Sequence, residues 1–148
     1  MKDEYVKFGI AKLLKEKGFN WKCNHYYMEN ISGDEHYLLP GSIMYGEDYN
    51  KRIKLNELGV NINTSSRKIS APTQQMACRW LREEHKIHIT TEPLEMFKEE
   101  RIVYEPTIYL LNDFDDFALE YETVHLKECD TNEDAIEAAL EYALKNLI

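Results

Sequence analysis

The sequence predicts an α+β fold: a mainly antiparallel sheet with three helices, over about residues 3–17, 73–85 and 132–147, packed on it. Three observations carry this prediction. Apolar residues recur at helical spacing in three separate windows. They alternate with polar residues at period two in the stretches between. Gly, Pro, Asn and Asp cluster at the joints. The order of elements is helix, strands, helix, strands, helix. No repeat or long linker divides the chain, so residues 1–148 read as a single domain of ordinary size. A chain of this length can bury a core without metals or disulfides.

The first helix rests on Val6, Ile10, Leu13 and Leu14, spaced along one face, with Lys17 and Gly18 as its cationic last turn and stop. Phe19, Trp21, Cys23, His25 and Tyr27 then fall on one side of a half-buried strand, opposite Asn20, Lys22, Asn24, Tyr26 and Met28. Gly33-Asp34 has the chemistry of a turn, and His36 to Leu39 returns as the second strand of a hairpin ended by Pro40-Gly41. Residues 41–69 fit one or two short strands or a helical turn, and the sequence does not choose between them. Thr73 caps the second helix, where Met76, Ala77, Trp80 and Leu81 form an apolar arc and Gln75, Arg79, Arg82 and Glu83 oppose it. A strand through Ile87 and Ile89 follows and is closed by Pro93. The next strand, Ile102 to Leu111, carries Pro106, which calls for an edge or a bulge. Residues 112–116 are a turn, and Phe117 to Thr123 return. Thr131 opens the last helix, with Ala135, Ala139 and Ala143 as a close-packing ridge, widened by Ile136, Leu140, Leu144 and Leu147. Glu137, Glu141 and Lys145 form its wet stripe.

Charge narrows the function classes. The chain has 18 Lys and Arg against 27 Asp and Glu, net −9, with a pI near 5.1. Residues 1–22 carry six basic and three acidic side chains, 23–50 none and five, 51–91 eight and three, and 92–148 four and sixteen. An acidic half of this strength repels phosphate backbones, so general nucleic-acid binding is disfavoured. The basic middle and acidic end suit each other as neighbours within one molecule. No apolar run approaches the ~18–20 residues of a membrane span, and the first residues lack a secretory signal pattern. Three cysteines, at 23, 78 and 129, favour reduced thiols and a cytoplasmic setting.

The candidates for chemistry are few. His85 and His88 lie beside Glu83 and Glu84, but their i, i+3 spacing straddles a helix end rather than following the i, i+4 zinc-helix pattern. Cys23 and His25 share a strand face, and with Cys78 or Cys129 they would form a metal site or a thiol–imidazole pair. Asp113, Asp115 and Asp116 offer hard oxygens without a calcium-loop pattern. Arg79, Arg82 and Lys86 beside Trp80 have the composition of a nucleic-acid surface, although Trp80 sits in the apolar arc. Phosphate-binding glycine loops, nucleophile elbows and dinucleotide fingerprints are all missing from the sequence. No cofactor is implied.

Two blocks carry a resemblance. Ser70-Ala-Pro-Thr73 with Trp80-Leu-Arg-Glu-Glu-His-Lys-Ile-His-Ile89, and Thr131 with Glu133-Asp-Ala-Ile-Glu-Ala-Ala-Leu-Glu-Tyr-Ala-Leu-Lys-Asn-Leu-Ile148, are similar to blocks in small proteins of bacteriophages and prophage-like elements of gut Bacteroides-type bacteria. Ala11-Lys-Leu-Leu-Lys-Glu-Lys-Gly-Phe19 and the pair Tyr26-Tyr27 resemble their opening. The resemblance covers about half the chain. It implies provenance and a soluble cytoplasmic context, and it brings no activity, cofactor or catalytic residue. The expected function is therefore a non-enzymatic module that binds a protein partner or self-associates, a reading favoured by ten tyrosines and the lack of catalytic motifs. The alternatives are a small metal- or Cys-dependent enzyme using Cys23, His25, His85 or His88, and, more weakly, a nucleic-acid accessory protein.

Overall fold

The structure is a computed structural model that describes residues 4–30, 32–42, 44–51, 68–96, 99–111 and 121–148. It is an α+β fold, with three helices and two three-stranded antiparallel sheets among the described residues. The chain forms two compact units. One is Lys7–Pro72; the other joins Met1–Val6 to Thr73–Ile148.

In the Lys7–Pro72 unit, helix α1 (Phe8–Glu16) buries Ile10 and Leu14 of the stripe read from the sequence, together with Ala11, while Leu13 of that stripe is half-buried. Gly18, at φ +87°, turns the chain in the left-handed region, and Phe19 N–H then donates to Leu14 O at 2.9 Å. Strand β1 (His25–Glu29) lies between β2 (His36–Pro40) and β3 (Lys68–Ser70), antiparallel to both. The period-two burial of residues 19–28 holds for Phe19, Cys23 and Tyr27 against exposed Asn20, Lys22 and Asn24. Regular pairing starts only at His25, because Cys23 instead bridges Glu47. The hairpin is tied to α1 by an aromatic trio. Phe8 stacks on His36 with centroids 4.1 Å apart, and the edge of Tyr27 meets both rings.

The described part of 41–51 is neither helix nor strand but a loop laced by polar contacts. Tyr49 N–H donates to Ser70 Oγ at 2.9 Å, Ser70 N–H to Asn50 Oδ1 at 3.0 Å, and Asn50 Nδ2 to Phe19 O at 2.9 Å. Ser42 N–H donates to Tyr49 Oη at 2.9 Å. This phenol passes so close to Gly41 that a Cβ there would run into Oη and lie 2.6 Å from Cζ.

In the other unit, α2 (Gln74–His85) and α3 (Asn132–Asn146) pack on a sheet ordered β4 (Ile87–Met96), β5 (Arg101–Leu111), β6 (Tyr121–His125). Both helices start where the sequence predicts: Thr73 Oγ1 accepts from Met76 N–H, and Thr131 Oγ1 from Asp134 N–H. Lys86, at φ 58°, ends α2 in the left-handed region and turns the chain directly into β4. The first helix of the chain, by contrast, begins at Phe8 instead of about residue 3. The residues before it are drawn into extended pairing: Tyr5 bridges Thr73, and Glu4 O accepts from Gln74 N–H at 2.8 Å.

Strand β4 runs on through Pro93 to Met96, where the sequence suggests an end. Leu111 N–H bonds Lys86 O, so alternate β4 positions, Pro93 among them, turn their backbone away from β5, and the missing N–H removes nothing from the ladder. Next to Pro106 there is a bulge: Leu126 N–H bonds Pro106 O, but Cys129 pairs with Tyr104, so Lys127 and Glu128 stand together opposite Glu105. Glu137 leaves the wet stripe. It is buried at the start of α3, where α2 approaches, and its Oε1 accepts from Gln74 Nε2 at 3.1 Å. Glu141 and Lys145 remain exposed and pair with each other.

The core of this unit is Ala77, Trp80 and Leu81 of α2, Ile87, Ile89 and Ile108 of the sheet, and Ala135, Ala139, Leu140, Ala143 and Leu144 of α3. Each fully buried Leu or Ile contributes about 1.5–3 kcal/mol. Among the described residues, no helix is long and apolar enough to cross a membrane. Ala139 has no exposed surface, so Ala139→Leu is expected to destabilise by about 1–3 kcal/mol through overpacking. Glu141→Gln, at an exposed ion pair, should change stability by no more than about 0.5 kcal/mol. Urea melts of the two variants check this; equal midpoints would mean the ridge is not packed.

Candidate functional site

The sequence candidates are dispersed by the fold. Cys23 is buried in the Lys7–Pro72 unit, where its Sγ donates to Trp21 O at 3.6 Å. His25 opens β1 and is half-buried. His85 and His88 belong to the other unit, and each has an aromatic ring of its own. The His85 ring meets Trp80 edge-on at 4.7 Å, and the His88 ring lies 6.2 Å from Tyr109 across the β4–β5 pair. Among the described residues, no three His, Cys, Asp or Glu side chains form a group that could hold a metal ion. Asp113, Asp115 and Asp116 lie outside the described residues.

The arginine candidates separate from the aromatic one. Trp80 is 3% exposed, inside the core, and offers no face for a base to stack on. Arg79 Nε sits 2.7 Å from Glu83 Oε1 on the exposed side of α2.

The three thiols are held protonated. Burial pushes Cys23 up to about 12, with Asp48 raising it further against a hydrogen bond with Ser70. Burial likewise pushes Cys78 up to about 12, with Arg82 and Glu137 acting in opposite senses. Cys129 is raised by burial and by the acidic side chains of Asp134, Asp130 and Glu128. A nucleophilic thiol needs the reverse, an electropositive setting that favours thiolate.

One polar cluster has no counterpart in the sequence reading. His125 Nδ1 lies 2.9 Å from Glu105 Oε1 and 3.4 Å from Thr107 Oγ1; Thr107 is its paired position on β5, and Glu105 lies two residues earlier on the same strand. Both oxygens meet the same nitrogen. A catalytic relay requires the acid and the nucleophile on opposite ring nitrogens, so this arrangement anchors an imidazole without activating a hydroxyl.

What the structure does assemble is a surface. Among the described residues, the exposed large apolar ones are Tyr37, Leu38, Leu39, Met44, Tyr45, Leu94 and Ile102, and five of these seven fall between positions 37 and 45. They belong to β2 and the turn after it. All five residues of β2 are exposed, although the strand is regular. The Tyr37 hydroxyl donates to the Glu35 carboxylate, which raises its pKa and keeps it protonated. The backbone of β2 is equally one-sided. Gly41 N–H bonds Asn24 O, and Asn30 N–H bonds Glu35 O, in a register that pairs Leu38 with Tyr27. Residues 35, 37, 39 and 41 therefore bond toward β1, while His36, Leu38 and Pro40 turn their peptide groups outward. Among the described residues, no strand pairs with this outer edge. The hairpin is legible in the sequence, but the exposure of its second strand is not read from it; the available clue is the lack of alternation in His36-Tyr-Leu-Leu-Pro40.

Comparison of the chain with protein-family models, with curated proteins and with solved structures finds no match.

The thiol environments generate a test. At neutral pH, a thiol titrating near 12 carries about a thousandfold less thiolate than one titrating at 9.0. Iodoacetamide should therefore modify Cys129 first in the folded protein and leave Cys23 and Cys78 until the chain is unfolded. Between about pH 9 and pH 12 the native state holds protons that the unfolded chain has lost. Stability is thus unaffected by these groups below about pH 9 and falls as pH rises through that window. Rapid alkylation of Cys23 in the native protein would contradict this.

Proposed function

We propose that this protein is a non-enzymatic interaction module whose contact surface is the outer edge of β2 and the turn that follows it. The observation that carries the reading is the occurrence of two features along β2 and the turn after it: five of the seven exposed large apolar residues of the described chain, and, on β2 itself, the outward peptide groups of His36, Leu38 and Pro40, with which no described strand pairs. Apolar side chains in contact with water gain free energy when covered, at about 25 cal/mol per Å². Unpaired strand edges add direction, because a partner strand completes their hydrogen bonds in one register at a time. Tyr37 and Tyr45 suit such a contact, since each combines a large apolar ring with a polar tip. The phage-type provenance and the cytoplasmic setting belong to this proposal and rest on the resemblance of the helical blocks.

A photo-cross-linking residue in place of Tyr37, in cells expressing the chain, tests the reading. Covalent adducts are expected from position 37, and none from the same residue in place of Glu141 on the exposed side of α3. Absence of adducts at 37, or equal adducts at both positions, would overturn it.

A further inference from the structure

We propose that β2 pairs antiparallel with β2 of a second copy of this chain, in register about Leu38, so that two three-stranded sheets join into one of six strands. The inference rests on the interaction reading above and names its partner.

The outer edge of β2 is self-complementary. A twofold axis through Leu38 sets Leu38 opposite its own copy, Tyr37 opposite Leu39 and His36 opposite Pro40. The outward peptide groups then match. Leu38 N–H and C=O exchange two hydrogen bonds with Leu38 of the second copy, and each His36 N–H meets the Pro40 carbonyl. Proline lacks a donor, so only the His36 carbonyls at the two ends are left to water. The side chains match as well. Leu38 covers Leu38 on one face and Tyr37 covers Leu39 on the other, apolar against apolar at every inner pair.

Charge permits the same register. Exposed edge strands are commonly protected by lysine or another charge, and β2 carries no Lys, Arg, Asp or Glu. The nearest carboxylates, Asp34 and Glu35, would face Ser42 and Gly41 of the second copy, so no like charges stand directly opposite. Each copy nevertheless carries a net charge of −9. Long-range repulsion opposes the pairing, and added salt should strengthen it by screening. A basic partner would show the opposite salt dependence.

Sedimentation equilibrium of the whole chain under reducing conditions, over a range of protein and salt concentrations, tests the proposal. The wild type should pass from monomer to dimer mass as protein concentration rises, at lower concentration in high salt. Leu38→Lys places two ammonium groups at the twofold axis and should stay at monomer mass across that range. Leu94→Lys, a change at an equally exposed leucine (39%) of the other unit, should dimerise like the wild type. Oxidation of Leu38→Cys should then link two copies, while Leu94→Cys stays single. A wild type that is monomeric throughout, or a Leu38→Lys chain that dimerises as well as the wild type, overturns self-pairing. Adducts to a different protein from position 37 would leave the interaction reading standing without it; no adducts at all would remove both.

Discussion

A peptide group at the edge of a sheet has a donor and an acceptor that must find water or another strand, and the β2 edge leaves this choice open. β1 is satisfied on both sides, by β2 and by β3. Among the described residues, β2 is satisfied on one. Its position is fixed from behind, where His36 stacks on Phe8 and Gly41 N–H bonds Asn24 O, so the strand stays extended although none of its residues is buried. A regular strand held in place and exposed on both faces is a template for pairing.

The other sheet of the same chain shows what a managed edge looks like. The outer positions of β4 include Pro93 and Glu95, one lacking a donor and the other charged. Beyond β6, the bulge opposite Glu105 breaks the ladder with Lys127 and Glu128. The core-facing side of this sheet is covered by α2 and α3, with Trp80, Ile87, Ile108 and the Ala135, Ala139 and Ala143 ridge buried. Both devices discourage strand addition. Only the proline recurs on β2, and there it sits at the last position, where a self-paired register uses its carbonyl.

The elements legible in the sequence are those with strong local signals. Thr73 and Thr131 cap helices as their side-chain chemistry requires, and the Pro106 bulge follows from a missing donor. What was not legible depends on partners distant in sequence. Tyr5 and Glu4 are extended because residues 73 and 74 pair with them, Pro93 is tolerated because of its register against β5, and Glu137 is buried because Gln74 lies on the neighbouring helix. The interaction surface was half legible. The hairpin could be read from Gly33-Asp34 and Pro40-Gly41, but whether Tyr37, Leu38 and Leu39 face a core or water is decided by which elements cover β2, and local pattern does not carry that. Residue type likewise does not carry a site. Cys23, His25, His85 and His88 attract notice by residue type, whereas a site is made by convergence.

The most direct test of the β2 edge is residue-resolved amide hydrogen exchange at several protein concentrations. Tyr37 and Leu39 bond inward to β1, so their amides should be protected at every concentration, whereas those of His36 and Leu38 point outward and should exchange freely in dilute solution. Protection of His36 and Leu38 that appears as concentration rises, with Tyr37 and Leu39 unchanged, is the predicted result. Exchange at Leu38 that is equally fast at all concentrations, or equally slow, would contradict the pairing of this edge with a second copy.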